Sequence, residues 1–165
     1  WWYGIIFSLI VVFITNGAFW FFIPGGFVVD LMQRQRLGKF RYGINYGVLG
    51  TIAYLGPLMN VVLALFLKLL MYIPFLADNV LLEKAILVNL LYAIYSMLPL
   101  PNLDGLLIYF ASRLIYVFVY SMIIAASVLI FYTSIFTTII GSFVVGLIAW
   151  FAFYYFRESG SWSPV

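Results

Sequence analysis

Ser96-Met97-Leu98-Pro99-Leu100-Pro101-Asn102-Leu103-Asp104-Gly105 interrupts a largely apolar chain, and its reading decides the fold. Two prolines one residue apart cannot continue a helix. Each also pushes the residue before it, Leu98 and Leu100, toward extended backbone. Asp104 comes next, the only acid between Lys84 and Arg113, followed by Gly105 and a new apolar run. The stretch therefore predicts a helix that stops, a short extended crossing, and a carboxylate where the next helix begins. Irregular backbone at membrane depth is tolerated only where protein or a watery cavity covers it, so the break is a candidate site. A plainer role, Asp104 as N-cap of the following helix, stands beside that reading.

The rest of the chain sets this break in a bilayer. Of its 165 residues 67% are hydrophobic and 8% charged, whereas a soluble domain is roughly a quarter charged. Apolar runs of about 20 residues, enough to cross a ~30 Å hydrocarbon core, recur along it. The expected fold is an all-α integral membrane protein, a single transmembrane domain over residues 1–165, with five to six transmembrane helices. Trp1, Trp2, Trp20 and Trp150 fall near expected helix ends, as interfacial anchors do. The net charge of +3 is too small to imply nucleic acid. No cleavable signal pattern is evident, and a first residue of Trp rather than Met suggests residues upstream. With no His and no Cys, the usual zinc, copper and haem ligand sets cannot be assembled. No metal and no cofactor are expected. Any hydrolytic chemistry must come from Asp30, Asp78, Glu83, Asp104 and Glu158.

Upstream of the break, Trp1–Met32 would be about 48 Å long as straight helix, too long for one untilted crossing. Breaks are available at Thr15-Asn16-Gly17 and Pro24-Gly25-Gly26. Two crossings turning near Asn16 are preferred over one long broken helix. Asp30 and Arg34 are spaced for an i,i+4 pair. From residue 39 to 49 the period changes to two, with Phe40, Tyr42, Ile44, Tyr46 and Val48 on one face. That pattern predicts a short strand or hairpin whose edge could pair with an extended peptide; an interfacial loop is the plainer alternative. The run Thr51–Phe75 contains Gly56-Pro57-Leu58-Met59-Asn60, with Pro57 starting or kinking a helix. Asn60, Ala64 and Lys68 share a face, and Lys68 can snorkel toward the far end. Asn89, Tyr92 and Ser96 form a second polar stripe, which on membrane helices is usually interhelical glue. Leu106–Phe156 predicts two helices, roughly Leu106–Phe131 and Ser134–Phe156, with weak breaks near Thr133-Ser134 and Gly141. Alternating crossings place Arg34, Arg36, Lys39, Arg41, Arg113 and Arg157 on one side, which the positive-inside rule makes cytoplasmic together with the C-terminus.

In order and spacing these features resemble the site-2 protease family of intramembrane zinc metalloproteases, over about residues 27–156. Leu98-Pro99-Leu100-Pro101-Asn102-Leu103-Asp104-Gly105 is similar to the family's Leu-Pro-x-Pro-x-Leu-Asp-Gly segment, whose Asp is a zinc ligand. Gly56-Pro57-Leu58-Met59-Asn60 is similar to its Gly-Pro-x-x-Asn motif, whose Asn faces the active site. The alternating strand resembles its substrate-aligning sheet. The His-Glu-x-x-His helix departs. Anchored on Arg36-Leu37-Gly38, the alignment puts Gly26 and Asp30 in the two His positions and Phe27 in the catalytic Glu position. Neither Gly nor Phe can hold zinc or take a proton from its water. The Asn usual before the Leu-Pro segment is Ser96. The resemblance thus implies a pseudoprotease, not an enzyme. It would be a scaffold or accessory subunit in the cytoplasmic membrane, whose partners are other membrane protein subunits and lipids. Two alternatives are a metal-independent hydrolase using Asp30 and Asp104 as an aspartyl pair, and a small transporter whose polar candidates are Asp30, Asn60, Asn89 and Asp104.

Overall fold

A computed structural model describes residues 2–16, 46–76 and 79–158. Among these residues the chain is helical, with no strand. The elements are α1 (Trp2–Ile14), α2 (Tyr46–Leu70), α3 (Val80–Ser96), α4 (Asp104–Ala111), α5 (Arg113–Tyr132) and α6 (Ile135–Phe153). A π-helical turn, Tyr154–Glu158, prolongs α6. Among the described residues three stretches are long and apolar enough to cross a membrane: Gly47–Leu70, Arg113–Tyr132 and Ile135–Arg157.

α2 is the spine. Its buried face is Gly50, Ala53, Pro57, Val61 and Ala64, a heptad-like spacing of small residues that lets neighbours approach closely. α3 and α4 pack on it, and α5 touches it as well. A Cβ at Gly50 would lie 2.3 Å from the Ala111 Cβ, and one at Gly56 would lie 3.7 Å from Asp104 Oδ2. As α4 advances from Asp104 to Ala111, it therefore retreats along α2 from Gly56 to Gly50. α3 returns along the other half of α2, so α3, the break and α4 together make one interrupted return beside a continuous helix. α5 and α6 form an antiparallel pair: Gly146 faces Phe118 and Met122, and Gly141 faces Leu129. Their buried residues, Tyr116, Val119, Ile123, Ala126 and Ile130 against Thr138, Ser142 and Gly146, recur every three or four positions. The outward faces stay apolar and exposed, Phe136, Ile140, Ile148 and Phe151 among them, as they must against lipid.

Several expectations change. Tyr46 and Val48 begin α2 instead of ending a strand; Phe40, Tyr42 and Ile44 lie outside the described residues. In hydrocarbon a helix satisfies its own backbone, while a lone strand leaves an edge unpaired. α2 runs unbroken through Pro57. The helix predicted over Leu106–Phe131 splits at Ser112, whose backbone is extended (φ −163°, ψ 118°) and whose hydroxyl accepts from the Ile115 N–H. Gly141 lies inside α6 and breaks nothing, whereas the break at Thr133-Ser134 is present, with Ser134 capping α6. α1 ends at Ile14, and Thr15-Asn16 turn there with Asn16 at φ 52°. At 13 residues α1 is about 20 Å long, short of a full crossing.

Candidate functional site

The break is built from two tight turns in series. α3 closes on Met97, the Leu98 N–H bonding back to the Tyr95 carbonyl. The Leu100 N–H then donates to the Leu98 carbonyl at 2.8 Å, a three-residue turn around Pro99. Next the Leu103 N–H donates to the Leu100 carbonyl at 3.1 Å. Pro101 and Asn102 are the central pair of that turn, and Asn102 has φ 67°. Proline followed by a left-handed Asn is the signature of a type II turn. Pro99, Leu100, Pro101 and Asn102 are exposed, while Met97 and Leu103 are buried. Because neither proline has an N–H, the exposed part of the break offers more acceptors than donors.

The break is fixed on its inner side. The Tyr116 hydroxyl donates to the Met97 carbonyl at 3.1 Å. Gly105 sits so close to the end of α3 that a Cβ there would be 2.1 Å from the Met97 oxygen and 2.7 Å from the Leu98 oxygen. Only glycine fits. Asp104 is not the cap of α4: Leu103 holds that position, and Asp104 is the first helical residue. Its carboxylate is suited to the positive end of the helix. Asp104 Oδ1 is buried, and Oδ2 faces Gly56 on α2. The structure thus brings Gly56 against Asp104, with Pro57 buried beside Gly56 on α2 and Gly105 held against the end of α3. Asn60 is half-buried one turn further along α2.

Other sequence candidates fall elsewhere. Gly26, Phe27 and Asp30, with Asp78, lie outside the described residues. Glu83 sits in the first turn of α3, at the opposite end of that helix from the break. The polar stripe is not interhelical glue at Asn89, whose amide donates to the Ala85 carbonyl of its own helix at 2.8 Å. Ser96, Ser121, Ser127 and Ser142 bond back in the same way to carbonyls three or four residues earlier. Such back-bonding hides a hydroxyl in hydrocarbon. Lys68 does not reach for water: its ammonium donates to the Ile130 and Thr133 carbonyls. These are the last carbonyls of α5, where a cation also suits the helix dipole.

The residues present do not fit a zinc centre. The chain has no imidazole and no thiolate, and among the described residues no three acids gather as ligands. What the arrangement offers is one carboxylate, a glycine–proline pair on α2 beside it and an acceptor-rich break between two apolar helices. No protein-family model, curated protein or solved structure matches the chain.

Proposed function

We propose that the chain is a site-2-protease-like membrane core without metal chemistry, serving as a scaffold or accessory subunit of a larger membrane complex. It would cross the cytoplasmic membrane five to six times with its C-terminus inside, and hold a partner membrane protein where the related enzymes hold substrate. The observation that carries this reading is the meeting of Gly56 with Asp104, where a Cβ on the glycine would lie 3.7 Å from Oδ2. They belong to the two segments that resemble the family's motifs, and they come together although far apart in sequence. The donor set argues against hydrolysis through zinc, because a carboxylate alone cannot replace two imidazoles and a general base. The exposed, acceptor-rich turn at Pro99–Asn102 supports binding. At membrane depth such a turn needs a covering group that can donate hydrogen bonds.

The test is a photo-crosslinking amino acid in place of Leu100, with the same residue in place of Phe136 as a lipid-facing control. One discrete protein adduct from position 100 and none from 136 is the expected result in native membranes. Adducts at neither position, or the same adducts at both, would remove the docking role. Elemental analysis addresses the loss of metal chemistry separately. About one zinc per chain retained through chelation would overturn it.

A further inference from the structure

We propose that the hollow at the α4–α5 junction seats the phosphate headgroup of an anionic membrane lipid. The hollow has a volume of about 380 Å³, and Tyr109, Phe110, Ser112 and Arg113 line it. It lies at one end of the bundle, since Ala111 packs on Gly50, only four residues into α2. The antiparallel pairing of α5 with α6 brings Trp150, Tyr154 and Arg157 to that same end. There the Trp150 ring stacks on Tyr154 with centroids 6.2 Å apart. Clustered Trp and Tyr mark the headgroup level of a bilayer.

Arg113 is the cation of the hollow. It is exposed, and among the described residues it has no ion-pair partner. Its guanidinium carbon stands 5.7 Å from the Tyr109 ring centroid. Tyr109 is itself braced edge-on by Tyr116 at 5.5 Å. A guanidinium held over a ring has little freedom left to lose, and its planar fork matches two phosphate oxygens. Phe110 beside it is 66% exposed, placed to lie along an acyl chain. Among the described residues the opposite end of the bundle offers no such group. Lys68 is engaged by the α5 carbonyls, and Lys84 is next to Glu83 in sequence. An anionic lipid is thus the occupant that satisfies both the charge and the apolar flank.

The experiment uses the purified full chain in detergent, with equal concentrations of phosphatidylglycerol and phosphatidylcholine and native mass spectrometry of the retained lipid. The wild-type chain should retain phosphatidylglycerol preferentially. Arg113→Gln should cut that preference about five-fold, the worth of one basic group near a charged membrane face, and Arg157→Gln should leave it intact. Arg113→Lys, which keeps the charge and loses the fork, should fall between wild type and Arg113→Gln. No preference in the wild type, or equal losses from Arg113→Gln and Arg157→Gln, would overturn the site. Should Arg113→Gln fail to fold, full retention by Arg113→Lys would overturn it as well. Thermal stabilisation by inorganic phosphate equal to that by phosphatidylglycerol would overturn the lipid assignment.

Discussion

At Gly105 a methyl group would stand 2.1 Å from a backbone oxygen, and neither helix can yield without unpacking from α2. Gly105→Ala should therefore cost about 1–3 kcal/mol, as overpacking does, and lower the thermal midpoint in detergent. Asn102 makes the complementary case. Its left-handed backbone admits glycine freely, while a branched residue there pays about 1–2 kcal/mol. Asn102→Gly should leave stability near that of wild type, and Asn102→Val should lower it. Asp104→Asn should be mild and Asp104→Leu worse by about 1–3 kcal/mol, because a buried oxygen replaced by carbon strands whatever donates to it. Equal, negligible effects of both Asp104 variants would show that the carboxylate has no structural role. At this scale part was legible. Asp104 was recognisable as the acid at a helix start, but the expected extended crossing is two tight turns, with Asn102 left-handed. The need for glycine at 105 was not legible, because it comes from carbonyls at the end of another helix.

α4 illustrates how little of an element's stability is its own. Eight residues are too few to hold a helix in isolation, and this one exists because Gly50 and Gly56 admit it to the surface of α2. The sequence showed the proline break and the Thr133-Ser134 break, both of which are written in local backbone chemistry. It hid the one at Ser112. A single serine inside an apolar run becomes a cap only when packing turns the chain, and its one clue was the charged Arg113 that follows. At Tyr46 and Val48 the two-residue alternation misled for a related reason: hydrogen-bond satisfaction in lipid outweighs the preference of aromatic and branched residues for strands. Lys68 gives this scale its prediction. Lys68→Met should leave the Ile130 and Thr133 carbonyls without their donor and cost about 1–3 kcal/mol, read as earlier thermal loss of helicity. Lys68→Arg should recover part of it.

The arrangement of the whole molecule is open to direct test, because the chain contains no cysteine and a single introduced thiol labels without background. Arg113→Cys and Arg157→Cys should react with an impermeant maleimide from one face of sealed vesicles, and Lys84→Cys from the other. Labelling of all three from one face would break the proposed alternation of crossings. The helical class and the presence of helices apolar and long enough to cross a membrane were legible from composition and apolar runs. The pairing of α2 with an interrupted return was not, since the small residues that permit it, Gly50, Ala53 and Gly56, look unremarkable one at a time. The lysine clamp carries a consequence for biogenesis. Lys68 emerges from the ribosome 62 residues before the first of the two carbonyls it serves. Until α5 is synthesised its ammonium must remain in water or among headgroups, which holds the end of α2 shallow. The arrival of α5 should then let that end sink, so that the final depth of α2 would be set by a helix translated long after it.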